Sequence, residues 1–326
     1  MIIGGVFFYM LYYTLRRLLQ LLIVVFIVSI SLFILLKAMP GDPARVLAGL
    51  TASDDAVQSI RKDLGLNKPI PTQYFRFMSQ TLTGNLKSMA YGEKMRNLLA
   101  TRIPATVELG LLGLLLAILG SIPLGVSAAV WRGSKIDFSA TFVALVGVSL
   151  PVFWTALVLM IVFGVGLNIL PVSGRGETLY GWSFLTLDGL RHLIIPVVTI
   201  ASVQLAMNTR LIRSSMLEVL NSDYIQTARS KGIPEITVIF KHAFRNALLP
   251  VLTNFGVSLG VIFAGGILTE TVTAWPGVGR LLYSALTRRD QTVVFTLVIF
   301  ITVGKLFAYL VVDLLYAYFD PRITYE

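Results

Sequence analysis

Long uncharged apolar runs constrain this chain more than any other feature in it. A helix needs about 20 apolar residues to cross the hydrocarbon core of a bilayer. Residues 18–36 and 109–131 each supply such a run without a charge, and another opens at Phe138 and continues past Phe163. The run 193–209 is shorter, but Arg210 and Arg213 can snorkel and lengthen that helix. Residues 246–269 give a fifth, and a last span over roughly 292–317 is interrupted by Lys305 and Asp313. The reading is an all-α integral membrane protein with about six transmembrane helices and both termini on one side.

Composition agrees. Only 13% of the residues are charged and mean hydropathy is +0.79, whereas a soluble domain carries about a quarter charged residues. A net charge of +10 would suggest nucleic acid in a soluble protein. In a membrane protein it reflects the Lys and Arg that collect in cytoplasmic loops. With the N-terminus inside, the inner segments hold eleven Lys and Arg, among them Arg16, Arg17, Arg132, Lys135 and six between Arg210 and Arg245. The two short outer loops hold five, and the long segment 37–102, which translocates largely regardless of charge, holds ten. N-in and C-in is the favoured orientation.

Several chemistries are excluded. With no cysteine there is no disulfide, thiolate catalysis or Cys-ligated metal. The two histidines, His192 and His242, are too few for a His-rich metal site. No P-loop occurs, since Gly304-Lys305 is followed by Leu306 inside a span. No nucleophile–base pair supports an intramembrane enzyme, so transport or channel activity is the default. The uncharged residues 1–9 lack a basic n-region, so the first span reads as a retained helix, not a signal peptide. Arg16 and Arg17 already hold the N-terminus inside, and residues 1–9 add nothing the topology needs, so Met10 is the expected initiator.

The segment between the first two spans reads as a small helical cap packed on the membrane domain. Ser53-Asp54-Asp55 caps a helix carrying Val57, Ile60 and Leu64 and ending at Gly65. Residues 72–82 form another after Pro71, stopped by Gly84, and a third covers about 93–102, ahead of Pro104.

The segment 210–245 is too patterned for a connector. Leu211, Ile212, Met216, Val219 and Leu220 continue the fourth span as an amphipathic helix. Asn221-Ser222-Asp223 breaks it and offers side-chain oxygens to cap the next helix. Residues 224–231 make two turns that Gly232 stops, and Pro234 starts another helix with Ile236, Val238, Ile239 and Phe240 as its apolar surface. A short crosswise helix results. It is either an interfacial helix resting on anionic lipid or a docking element for a cytoplasmic partner.

Here a family resemblance becomes specific. Tyr224-Ile225-Gln226-Thr227-Ala228-Arg229-Ser230-Lys231-Gly232, followed by Arg245-Asn246-Ala247-Leu248-Leu249-Pro250, resembles the EAA loop of binding-protein-dependent ABC importer permeases, in the dipeptide/oligopeptide/nickel branch. Gln226 and Thr227 replace the first two residues of the E-A-A pattern, leaving Ala228 and Gly232 as the matching pair. Pro40-Gly41-Asp42-Pro43, Leu64-Gly65-Leu66-Asn67-Lys68-Pro69 with Gln73-Tyr74, Ala105-Thr106-Val107-Glu108-Leu109, Trp275-Pro276-Gly277-Val278-Gly279-Arg280, Val312-Asp313-Leu314-Leu315-Tyr316 and Asp320-Pro321-Arg322-Ile323 are similar to further family segments, in order.

The resemblance implies a multi-pass permease subunit of a bacterial cytoplasmic (inner) membrane importer. A second homologous permease would complete the pathway, two ATP-binding subunits would supply energy, and an extracytoplasmic binding protein would deliver substrate. No cofactor is expected in this chain; ATP and Mg would sit on the partner ATPase subunits, and no nucleic acid is involved. Peptides are the expected substrate, with a nickel chelate or glutathione-type molecule as the alternative. The expected divisions are 1–17 (cytoplasmic N-terminus), 18–36 (first transmembrane helix), 37–104 (extracytoplasmic helical segment), 105–319 (five-helix core with the coupling loop 210–247) and 320–326 (cytoplasmic C-terminus). Asp223, Tyr224, Thr227, Ala228, Arg229, Lys231 and Gly232 would form the coupling loop that inserts into a groove on the ATPase.

Other residues stay open between two roles. Lys305, near the middle of the last span, costs about 2.5–3.5 kcal/mol to insert. It therefore faces a translocation path or neighbouring carbonyls. Trp275-Pro276-Gly277 reads as a rigid outer turn or a binding-protein contact. The G-x-x-x-G of Gly256 and Gly260 serves the second permease or internal packing. Glu108 lies in a helix's first turn, where the dipole favours it.

Overall fold

The computed structural model describes residues 2–38, 42–49, 52–262 and 266–319; no side chain is described before residue 14, after residue 313, or at residues 43, 46, 47, 64, 249, 253 and 261. Among the described residues every regular element is helical, with two isolated β-bridges, Lys87 to Lys94 and Leu179 to Trp182. In chain order the helices are α1 (Ile2–Ala38), α2 (Pro43–Ala48), α3 (Asp54–Leu64), α4 (Ile70–Leu82), α5 (Met95–Val130), α6 (Lys135–Ser149) and α7 (Val152–Leu159). They continue with α8 (Leu187–Leu220), α9 (Asp223–Ser230), α10 (Glu235–Thr237), α11 (Arg245–Ala247), α12 (Leu249–Ile262), α13 (Ile267–Val272), α14 (Val278–Thr287) and α15 (Gln291–Phe319). Wider π-helical turns extend α7 through Met160–Gly166 and join α10 to α11 through Val238–Phe244.

Among the described residues four helices are long and apolar enough to cross a membrane: Thr14–Ala38 of α1, α5, α8, and Gln291–Asp313 of α15. The pair α6–α7 adds a fifth if taken as one span. It is bent by 107° because Leu150 precedes Pro151 and is pushed out of the helical region, to ψ 132°. The run expected as a fifth continuous span is also divided. Helix α12 ends its described course at Ile262, Gly266 takes a non-helical ψ of 75°, and α13 follows. The third helix expected in the cap does not stop before Pro104, since α5 runs straight through it and through Pro123. Neighbouring residues keep the α5 ladder, so each proline removes a single donor.

The chain divides into two compact units. One comprises Met1–Arg102, Leu281–Leu306 and Leu314–Glu326; the other comprises Ile103–Arg280 and Phe307–Asp313. In the first, α4 packs on α1: the Tyr74 hydroxyl lies 2.7 Å from Ser29 Oγ, and Phe33 meets the Tyr74 ring edge-on. Phe77 reaches Phe295 of α15, ring centroids 4.8 Å apart. Asp290, buried at the head of α15, accepts from Ser88 Oγ (2.6 Å) and the Ala90 N–H (2.8 Å). The cap expectations hold locally: Ser53 Oγ accepts from the Ala56 N–H, and Gly65 and Gly84 take positive φ where α3 and α4 end. Pro40, Gly41 and 320–323 of the family-like segments lie outside the described residues, as do the Met10 side chain and the residue Met1 that bear on the expected initiator.

In the second unit α6 and α8 form a long antiparallel contact. Gly256 and Gly260 of α12 lie against Val312 and Tyr309 of α15, which gives the G-x-x-x-G an internal packing role.

Candidate functional site

Helix α9 stands at the end of α8 with one buried edge. Ile225 is fully buried and Ala228 is 8% exposed, and the two pack into a cluster with Val126 and Ala129 of α5, Ile212 and Met216 of α8, and Val251 and Phe255 of α12. The spacing i, i+3 places both on one helix face. Asp223, Tyr224, Gln226, Thr227, Arg229, Ser230, Lys231 and Gly232 are exposed on the other sides. Ala228 therefore differs from its companions among the expected coupling residues: it seats the helix and does not present a surface. Val238 and Ala243 join the same core, while Ile236 and Phe240 point outward, 68% and 54% exposed.

Local bonds hold this geometry. The Tyr224 hydroxyl accepts from Asn246 Nδ2 at 2.8 Å, and Thr227 Oγ1 donates to the Asp223 carbonyl. Ser222 does not cap α9 as expected. Its hydroxyl donates to the Val219 carbonyl (2.6 Å), and Asn221 Nδ2 donates to Leu217 (2.8 Å), so both side chains serve the free carbonyls at the end of α8. Gly232 has φ +75° and no heavy atom within 4 Å of where a Cβ would stand. Backbone conformation alone selects glycine there, since another residue would cost about 1–2 kcal/mol in that region.

Arg229 and Glu235 form a two-pronged ion pair at 3.1 and 2.6 Å, closing the turn after α9. The hydrogen bond from Arg229 holds the Glu235 carboxyl below its ordinary value of 4.5 and raises Arg229 in turn. A depressed carboxyl contributes stability above its unfolded value and loses it as pH falls through the folded one. Both side chains are about half exposed, so the contribution is about 0.2–1 kcal/mol. Glu235→Gln is expected to lower stability by that amount at pH 7 and to match the parent in acid below the carboxyl range. Paired thermal-unfolding curves at the two pH values check it.

A second node lies around two buried carboxylates. Glu108 in α5 accepts from Arg175 Nη2 (2.6 Å) and from the backbone N–H groups of Ser183 (2.6 Å) and Phe184 (2.9 Å). Glu270, fully buried in α13, accepts from Thr106 Oγ1 (2.8 Å) and the Arg280 N–H (3.0 Å), while Thr106 Oγ1 accepts from the Val278 N–H (2.7 Å). Trp275 has no exposed surface; its Nε1 donates to the Ala105 carbonyl at 2.9 Å, and Arg175 stacks over its ring. Gly277 passes so close to the Glu270 carboxylate that a Cβ would collide with it. The Trp275-Pro276-Gly277 turn thus wraps a buried anion. The Trp275 side chain and Gly277 are enclosed, and Pro276 is half-buried.

One further residue sits differently from its sequence reading. Arg213 does not snorkel. It makes a bidentate pair with Asp137 of α6 (2.6 and 2.8 Å), and the Gly133 N–H adds a third bond to that carboxylate. Asp137 borders the apolar run that opens at Phe138, which is the signal that would have revealed the pair. Lys305 is half-buried in α15 and makes no hydrogen bond or ion pair among the described residues.

Between α5, α8 and α12 lies a cavity of about 210 Å³. Its polar wall comprises Thr106, Gln204, Ser258 and Glu270. The side-chain N–H groups of Gln204 Nε2 and Asn208 Nδ2 are buried without an acceptor. Asn208 Oδ1 accepts from Asn254 Nδ2 at 2.6 Å, and Ser258 Oγ donates to the Asn254 carbonyl. Charge marks Lys305 in the sequence; this uncharged stripe, spaced four apart on each of two helices, carries no such signal, because amides and a hydroxyl do not stand out in an apolar run.

Apolar spans, a seated helix beyond the end of one of them, and a largely apolar cavity with one polar wall among three helices are features of a multi-pass membrane protein of transport type. The chain belongs to the family described as binding-protein-dependent transport system inner membrane component, which residues 121–325 match. Residues 10–95 match that family's N-terminal region. It is a multi-pass inner-membrane permease component of such a system, not an enzyme. Among curated relatives, it is 39% identical over 335 residues to the di/tripeptide transport system permease protein DppB of Pseudomonas aeruginosa, covering 97% of this chain and 100% of that one. It is 39% identical over 339 residues to the dipeptide transport system permease protein DppB of Escherichia coli, with the same coverage. It is 37% identical over 315 residues to the oligopeptide transport system permease protein AppB of Bacillus subtilis, covering 96% and 99%.

Proposed function

We propose that this chain is one of two homologous permease subunits of an ATP-driven importer of di- or oligopeptides. An extracytoplasmic binding protein delivers substrate, and two ATP-binding subunits carry the ATP and Mg. The peptide assignment rests on what its relatives transport by name. In this reading the chain crosses six times with both termini inside, α6–α7 and α12–α13 each completing one crossing. The balance of eleven inner against five outer basic residues in the short segments supports that orientation. Residues 37–104 form the extracytoplasmic segment, 105–319 form the core, and the loop 210–247 is cytoplasmic.

The observation that carries the mechanism is the seating of α9. Its exposed face holds Asp223, Tyr224, Thr227, Arg229 and Lys231, and its buried edge rests on α5, α8 and α12 together. Closure of the ATPase dimer on ATP moves α9, and a close-packed cluster transmits that displacement because it cannot deform continuously. The three helices then tilt as a group and turn the path from one side of the membrane to the other.

Thr227→Trp tests this reading on an exposed position that folding tolerates. Uptake in reconstituted importer is expected to fall at least tenfold, with the chain still inserted and stable. Normal uptake with ATPase subunits still co-purifying would remove α9 from the coupling role.

A further inference from the structure

We propose that the cavity between α5, α8 and α12 is a transit site for the backbone of a short peptide. Gln204 donates to a peptide carbonyl at its deep end. The inference rests on the peptide reading above and adds the residues that hold the cargo.

Two observations carry it. The first is unmet hydrogen-bonding capacity. Gln204 lines the cavity with its Nε2 group buried and without an acceptor. Buried donors nearly always have partners, and exceptions call for a specific explanation. A passing peptide, whose carbonyls recur along its length, supplies that acceptor.

The second is size. Along α5 the lining runs from Thr106 to Leu114, about 12 Å at 1.5 Å per residue. An extended peptide covers about 3.3–3.6 Å per residue, so about three residues fill that length and a dipeptide fits within it. The volume of about 210 Å³ is below the roughly 300 Å³ at which pockets for drug-sized ligands begin. Leu109, Ile200 and Ile262 supply apolar wall, which accepts varied side chains while the polar groups address only the backbone shared by every peptide. The helices that line the cavity are also those on which α9 is seated. Movement of α9 therefore alters the cavity directly.

The test uses the complete importer, this chain with its partner permease, ATPase subunits and binding protein, in proteoliposomes supplied with dialanine or trialanine. Because the chain has no cysteine, Val203→Cys places a single thiol of this chain at the cavity wall, and Gln58→Cys places one on the exposed face of α3, outside the spans. During ATP-driven uptake, labelling of Val203→Cys by a small methanethiosulfonate is expected to slow at least fivefold when peptide is present, and that of Gln58→Cys to stay constant. Adding Gln204→Leu is expected to abolish the protection and lower uptake about tenfold. If that variant fails to assemble, Gln204→Met replaces it, keeping the length and flexibility of the side chain and removing the donors. Peptide uptake without protection at Val203→Cys, or protection and uptake unchanged by loss of the Gln204 donors, overturns the transit site and leaves the peptide reading standing. Failure of the parent importer to take up either peptide overturns the peptide reading, and the transit site with it.

Discussion

Glu108→Ala is expected to destabilise the protein by about 3–5 kcal/mol, the usual cost of removing one partner from a buried ion pair. The Glu108 side chain has no exposed surface and Arg175 retains only 13% of its own. The substitution strands the guanidinium and also leaves the Ser183 and Phe184 N–H groups without their acceptor. Each such donor, if it finds no water, adds about 1–3 kcal/mol. The damage extends to Trp275, over which Arg175 stacks. Glu108→Gln keeps an acceptor for the backbone groups and should lose less. Thermal unfolding of the purified chain in detergent measures both. A loss under about 1 kcal/mol for Glu108→Ala would show that the node is not structural.

Ala228→Asp should abolish uptake, whereas Gln226→Asp, two residues away, should change stability by no more than about 0.5 kcal/mol, as exposed substitutions usually do. Ala228 is enclosed with Ile212, Met216 and Val238, and Gln226 is exposed. A carboxylate at residue 228 must either enter an apolar cluster unpaired, at several kcal/mol, or lift α9 off α8. The second route costs less, so the spans remain intact while protease cleavage near α9 rises. Equal behaviour of the two variants would mean that α9 is not seated by the face containing Ile225 and Ala228.

The contrast between those two variants marks where sequence reading stopped. The break at Asn221-Ser222-Asp223, the two turns after it and the stop at Gly232 are legible because helix-breaking polar residues, helical turns and a positive φ leave local signatures, even though the polar side chains bond back to α8 and do not cap α9. Which of the helix's residues would carry the surface was not legible, because resemblance treats the motif as a block and does not separate the edge that seats it from the face it presents. The same limit explains Trp275-Pro276-Gly277. A Trp-Pro-Gly turn announces rigidity, but only folding brings Thr106 and Glu270 against it from elements well over 100 residues apart in one case, and so converts an apparent contact surface into an enclosed clasp.

What the sequence determined by itself is what depends on runs and nearest neighbours: membrane spans from uncharged stretches, the capped helices α3 and α4 from their flanking residues, the family from short segments in order. Even there, proline acted differently in different places. Pro151 breaks α6 from α7, yet Pro104 and Pro123 are carried inside α5. Tertiary structure alone decided the pairings between distant charges, Glu108 with Arg175 and Asp137 with Arg213, and the meeting of Gln204, Ser258 and Glu270 around one cavity. In a bilayer an isolated polar side chain is costly wherever it stands along a span, so its position in the chain says that a partner exists. Which partner it finds depends on how helices far apart in sequence pack together, and that is settled only when they do.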